Sequence, residues 1–132
     1  MIIGVDLDGT VSRIGFWNPS LKLPWWLFVF LLPVVILMKP DKKAVRKIRE
    51  MKSQDHKIMI VSARPPWMKA LTSWWLKSNL VPFDEVFCVG FGKGTGSRKL
   101  AVVRKERIQY FFDDNKRMVE FLNHNSVKAA SL

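Results

Sequence analysis

The stretch Ile2-Ile3-Gly4-Val5-Asp6-Leu7-Asp8-Gly9-Thr10-Val11 decides the fold. Its apolar first half reads as a strand buried on both faces, the kind found inside parallel sheets. The strand runs into two carboxylates, Asp6 and Asp8, and then into Gly9-Thr10. In an open α/β sheet, ligands bind beyond the carboxyl ends of the strands, so chemistry is expected here. Two carboxylates this close repel one another unless a cation accompanies them, which argues for a divalent metal. An acidic turn that merely caps the next element would use the same residue types. The apolar strand leading directly into the pair favours the metal-binding reading over that one.

Working outward, three more Val-, Ile- or Phe-rich runs read as buried strands, at 57–62, 86–90 and 108–112. Helical segments lie between them. Asp41 is placed to cap a helix through about Ser53, with Val45, Ile48 and Met51 or Lys52 on one face and a basic face opposite. Pro66 opens a second helix that runs through Trp74-Trp75 to about Lys77, and two more cover about 98–106 and 116–123. Alternating strands and helices predict an α/β fold, a Rossmann-like three-layer sandwich around a central parallel sheet. A chain of 132 residues suits one domain, 1–132, with no room for a full cap domain. Residues 126–132 read as a loose tail.

Later segments repeat the pattern of polar residues at strand ends. The run 57–61 leads into Ser62-Ala63-Arg64-Pro65, and the run 108–112 ends in Asp113-Asp114-Asn115. Lys99 precedes Asp113 by fourteen residues, at the start of a helical segment. Singly these are weak signals, since a Ser after a strand often caps a helix and most lysines are solvated. In order, and with DxDGT at the first strand, they resemble the four motifs of the haloacid-dehalogenase (HAD) superfamily, across nearly the whole chain except 13–40.

That resemblance implies a phosphatase. Asp6 would be the nucleophile that forms an aspartyl-phosphate, and Asp8 would protonate the leaving oxygen and then activate water. Mg2+ would be held by Asp6, the Asp8 backbone carbonyl and Asp113, with Asp114 as a ligand or just behind one. Ser62 and Lys99 would complete the catalytic set, with Thr10, Ser62, Ala63, Arg64 and Lys99 contacting the phosphoryl group. An acid at position 8 is similar to the phosphatases and phosphomutases of the superfamily, whereas its dehalogenases and transport ATPases lack it. Phosphoryl transfer asks mainly for positioning and charge stabilisation, which these residue types supply.

Composition bounds the partners. Lys and Arg number 22 against 11 acids, a net charge of +11, which favours phosphorylated substrates, an anionic membrane surface or nucleic acid. The single cysteine, Cys88, excludes an intrachain disulfide and is expected to be a buried thiol in a reducing compartment. No cleavable signal peptide is expected, because the first apolar run is short and leads into acids. The segment 90–97 (GFGKGTGS) fits neither common phosphate-loop pattern and reads as a flexible loop. His56 and His124 have no metal or triad spacing and are expected at the surface.

The departure from the resemblance lies at 13–40, which contains the uncharged block 23–38 (LPWWLFVFLLPVVILM) between Lys22 and Lys39. Sixteen helical residues span about 24 Å, short of a hydrocarbon core of about 30 Å, and Pro33 would bend a helix. A single crossing is excluded by topology, since it would separate Asp6 from Ser62, Lys99 and Asp113. An interfacial or re-entrant segment keeps them together, placing the protein on the cytoplasmic face of a membrane, monotopic or peripheral. Trp25-Trp26, and the Trp67, Trp74-Trp75 helix with Lys69 and Lys77, resemble interfacial anchors. The expected substrate is then a membrane lipid phosphate. The alternatives are a soluble, oligomeric cytoplasmic phosphatase for a nucleotide, sugar phosphate or nucleic-acid end, using block 23–38 as a subunit interface, and a non-catalytic membrane adaptor. No nucleic-acid module is recognisable in support of the nucleic-acid end.

Overall fold

The computed structural model describes residues 1–7, 38–90 and 92–132. Asp8, Thr10 and the apolar block up to residue 37 lie outside the described residues, and so do the expectations that fall on them.

Five parallel strands form one sheet: β1 (Ile2–Val5), β2 (Lys57–Ser62), β3 (Glu85–Cys88), β4 (Tyr110–Phe112) and β5 (Lys128–Ala130), in the order β3-β2-β1-β4-β5. The chain builds outward from β1 in one direction and then crosses to the other side, so the order reverses between β1 and β4. Helices α1 (Lys42–Ser53), α2 (Lys69–Ser78, entered by a 3-10 turn at Pro66–Met68), α3 (Thr95–Lys105) and α4 (Lys116–His124) connect them. The expected α/β sandwich with a central parallel sheet is the observed one.

Strand alternation sorts the core into two layers. Ile3, Val5, Leu7, Ile58 and Ile60 face Val45 and Ile48 of α1 and Trp75 and Leu76 of α2. Met59, Val61 and Phe111 face Leu100 and Val103 of α3 and Leu122 of α4. Full burial of each large side chain contributes about 1.5–3 kcal/mol, so both layers are needed to hold the sheet. Asp41 caps α1 as expected, accepting from the Lys43 N–H at 3.0 Å. Asp84 fastens β2 to β3: its carboxylate accepts from the Ile58 N–H (2.8 Å) and from Lys52 (2.6 Å). Although partial burial opposes ionisation, the Lys52 and Ile58 hydrogen bonds prevail and hold the Asp84 carboxyl below its usual value.

Several expectations are corrected. The segment 126–132 is not a loose tail: Lys128–Ala130 pairs in parallel with β4 as the edge strand β5. Its Lys-Ala-Ala lacks the branched side chains that mark a strand, and the pairing is supplied by the neighbour. Helix α3 begins at Thr95 rather than near Arg98, because Gly94, in the left-handed region at φ 87°, turns the chain into the helix. Cys88 is half-buried rather than buried, and His56, expected at the surface, is half-buried as well. Among the described residues no helix is long and apolar enough to cross a membrane.

Gly4 has a packing role the motif does not advertise. A Cβ there would lie 2.5 Å from the ring of Phe111 on the adjacent strand, closer than real Cβ atoms come. Gly4→Ala is therefore expected to destabilise the protein by about 1–3 kcal/mol. Thermal unfolding followed by circular dichroism checks this, and an unchanged midpoint would contradict the close packing.

Candidate active site

The first turn beyond a parallel sheet's strands is where side chains escape the core, and here the sheet delivers two acids side by side. β1 and β4 pair with Val5 level with Phe112, so the next residues, Asp6 and Asp113, emerge together. Backbone bonds fix both: the Asp6 N–H donates to Phe112 O (2.8 Å), and the Asp113 N–H donates to Ala130 O (3.0 Å). The edge strand missed in the sequence thus seats one of the two acids. By alternation, both carboxylates fall on the α3 side of the sheet, opposite Val5 and Phe112.

Helix α3 answers with Lys99. Its Nζ donates to Asp6 Oδ1 at 2.7 Å and to Asp113 Oδ2 at 3.0 Å. All three side chains are withdrawn from solvent, at 6% exposure for Asp6 and 2% each for Lys99 and Asp113. Burial by itself would lower the lysine pKa, but the charges of Asp6 and Asp113 outweigh it and hold Lys99 above its ordinary value. Lys99 is thus a permanent cation at neutral pH. Its Nζ also lies 5.9 Å from the centre of the Phe111 ring, the same ring that occupies the space left by Gly4. The second oxygen of Asp113, Oδ1, accepts from the Asn115 N–H (2.9 Å), and the Asn115 side chain caps α4 through the Arg117 and Met118 N–H groups. Asn115 was visible only as the third residue of Asp113-Asp114-Asn115; an Asn just before an amphipathic run was the available signal.

A second group forms at the end of β2. Ser62 is fully buried, and its Oγ accepts from the Arg64 N–H (3.1 Å), which keeps the serine O–H as a donor. Arg64, expected at the phosphoryl group, is 2% exposed, and its Nη1 donates to Thr72 Oγ1 of α2 (3.2 Å). Its carbonyl accepts from the Gly90 N–H (2.9 Å), tying the turn after β2 to the turn after β3. The described contacts of Arg64 therefore brace the loop that carries Ser62 and the buried Ala63. Thr72 was not singled out in the sequence, because nothing separates a buried helical Thr from a solvated one without the fold.

The two acids of the fourth motif part company. Asp113 joins Lys99, whereas Asp114 is exposed and accepts from Ser131 Oγ (3.2 Å). The structure so brings Asp6, Lys99 and Asp113 together, sets Ser62, Ala63 and Arg64 at the end of the next strand, and turns Asp114 outward. Among the described residues no group of three or more His, Cys, Asp or Glu side chains gathers into a metal site. The donor chemistry nonetheless fits a small hard cation. Two buried carboxylates share one ammonium, which leaves that trio with net negative charge where water is excluded.

Solved structures carry the same arrangement of elements. The L-2-haloacid dehalogenase of Xanthobacter autotrophicus, with chloropropionic acid covalently bound, matches 99% of this chain and 76% of its own, at a TM-score of 0.70 and 11% identity. The chain shares the α/β, Rossmann-like fold of that dehalogenase. The D,D-heptose 1,7-bisphosphate phosphatase of B. bronchiseptica complexed with magnesium and phosphate matches 97% of this chain and 78% of its own (TM-score 0.60, 10% identity). A chain of the Pnkp1/Rnl/Hen1 RNA repair complex matches at a TM-score of 0.77 and 14% identity over 98% of this chain. The present chain spans only 41% of that one's length. No family model matches the sequence, and none of the curated proteins matches it.

Removing the cation from the cluster exposes its electrostatics. Lys99→Met leaves two buried carboxylates facing one another, and breaking a buried pair in this way costs about 3–5 kcal/mol at neutral pH. Repulsion raises the carboxyl pKa in the folded state above the unfolded value, so the folded variant binds more protons. Its stability therefore recovers as pH falls toward the acid range and worsens as pH rises. Denaturant unfolding across pH checks this; a deficit independent of pH would point to lost packing alone.

Proposed function

We propose that the protein is a Mg2+-dependent phosphomonoester hydrolase in which Asp6 carries the phosphoryl group. The observation that supports this most is the buried contact of Lys99 with both Asp6 and Asp113 at the reversal point of the sheet. Asp6 and Asp113 would hold the metal together with the Asp8 backbone carbonyl. When bound, the metal would neutralise phosphoryl charge and set its oxygens for in-line attack.

The protein's own residues would divide the remaining work. With one Asp6 oxygen held by Lys99, the other attacks phosphorus; the P–O bond to the leaving group breaks, and the departing oxygen takes the proton of Asp8. Asp8, now ionised, removes a proton from water as that water attacks the aspartyl-phosphate. Phosphate leaves and the Asp6 carboxylate is restored. Ser62, whose hydroxyl remains a donor, and Lys99 hold the phosphoryl oxygens, with Thr10 and the backbone at Ala63 beside them. Arg64 acts by bracing this loop against Thr72.

The substrate class that best fits the chain is a membrane lipid phosphate, and the cytoplasmic face of a membrane is the corresponding location. The supporting observation is the uncharged block 23–38, which follows Asp6 by fewer than twenty residues and so ties an apolar segment to the catalytic turn. A second reading, a nucleic-acid end phosphate, draws on the net charge of +11 and on the likeness to a chain of an RNA repair complex.

Phosphate release with and without Mg2+, over a panel of lipid phosphates, nucleotides, sugar phosphates and oligonucleotide ends, tests both readings. Release from the preferred member is expected to need Mg2+ and to fall by about 10³-fold or more in Asp6→Asn. Activity that survives in Asp6→Asn would contradict the role of Asp6. A preference for oligonucleotide ends would select the second reading.

A further inference from the structure

The tryptophans of the second helix part in the structure in a way the sequence does not reveal. Trp75 is fully buried between α1 and the sheet, and its indole Nε1 donates to Met38 O (3.0 Å). It is a core residue and not an interfacial anchor. Trp67 and Trp74, by contrast, are 48% and 51% exposed, and Leu80 just beyond the helix is 72% exposed. Large apolar side chains in solvent are informative when they share a face. Trp67 lies in the 3-10 turn that leads into α2 and Trp74 seven residues on within α2, with the exposed Ala70 between them and Lys77 one turn beyond Trp74.

Three observations say what covers this face. From Ala63 to Phe83 there is no acidic residue, while Lys69 and Lys77 in that stretch are exposed. Exposed Arg46 and Arg49 of α1 belong to the same layer, and Arg49 donates to Leu80 O (3.0 Å). Finally, Met38, the last residue of the apolar block, packs against the core layer that α1 and α2 form with the sheet and is held there by Trp75. Indole rings on a segment that carries Lys and no acid suit the boundary between acyl chains and anionic headgroups, and on α1 the exposed Arg46 and Arg49 outnumber the exposed Glu50.

We propose that the outer face of α1 and α2 is a docking surface for an anionic lipid bilayer, with Trp67, Trp74 and Leu80 entering the interface and Lys69, Lys77, Arg46 and Arg49 on the headgroups. This builds on the lipid-phosphate reading and names the surface that would serve it. Trp67 lies three residues after Arg64, so the docked face adjoins the end of β2 where Ser62 sits.

The test is flotation of the full chain with vesicles of phosphatidylcholine alone or with phosphatidylglycerol, for wild type, Trp67→Ala/Trp74→Ala and Lys69→Gln/Lys77→Gln. The tryptophan pair is expected to lower partitioning about tenfold or more on the mixed vesicles. Loss of the two lysines is expected to lower it roughly twentyfold on anionic vesicles and little on neutral ones. Release of phosphate from a water-soluble aryl phosphate, measured in parallel, should be unchanged in both variants and reports separately on the catalytic reading. Vesicle binding equal to wild type in the tryptophan variant would overturn the surface, even if catalysis holds. So would a dimer, or binding to single-stranded RNA, that these tryptophans support in place of vesicle binding. An Asp6→Asn protein that still floats, with phosphate release lost, would uphold the surface and the nucleophile independently.

Discussion

One ammonium group, buried between two carboxylates, is the constraint around which this fold is arranged. Lys99 can remain charged at 2% exposure only because Asp6 and Asp113 face it, and they can be buried only because it is there. Each member comes from a different element: β1, β4 and α3. Their meeting requires that β1 and β4 be neighbours in register, that β5 anchor Asp113 through its backbone, and that α3 pack close beneath. The cluster is stable as a unit and costly in parts.

Packing below the cluster explains residues that carry no chemistry. Phe111 lies under Lys99 and fills the space that a side chain at position 4 would need, so Gly4 is what lets that ring lie across β1. A motif that reads as catalytic, from Ile2 to Asp6, therefore also records a packing requirement. The neighbouring loop is built on the same logic: Arg64 is spent on Thr72 and on the turn at Gly90, which holds Ser62 at the strand end.

The sheet was legible because parallel strands buried on both faces must be continuous apolar runs, and 2–5, 57–62 and 110–112 are such runs. β5 was not legible, since Lys-Ala-Ala gains its strand identity from β4 rather than from its own side chains. The start of α3 was obscured by Gly-rich sequence, where only backbone angles separate a loop from a helix entry. At the site, Asp6 was readable as a carboxylate at the end of an apolar strand and Lys99 and Asp113 through the resemblance to haloacid-dehalogenase motifs, whereas the division between Asp113 inside and Asp114 outside depends on strand alternation at the end of β4. The opposite fates of Trp74 and Trp75 follow from helix phase, which adjacent identical residues cannot disclose.

The most direct test of the central claim is to trap the phosphoryl group. The protein is incubated with Mg2+ and a small phosphoryl donor, quenched in acid, and reduced with borohydride, which converts an acyl phosphate to the alcohol. Peptide mass spectrometry is then expected to find that conversion at position 6, dependent on the donor and absent in Asp6→Asn. Phosphate release with no modification at position 6, or with the label on Ser62, would contradict the assignment of Asp6 as the nucleophile.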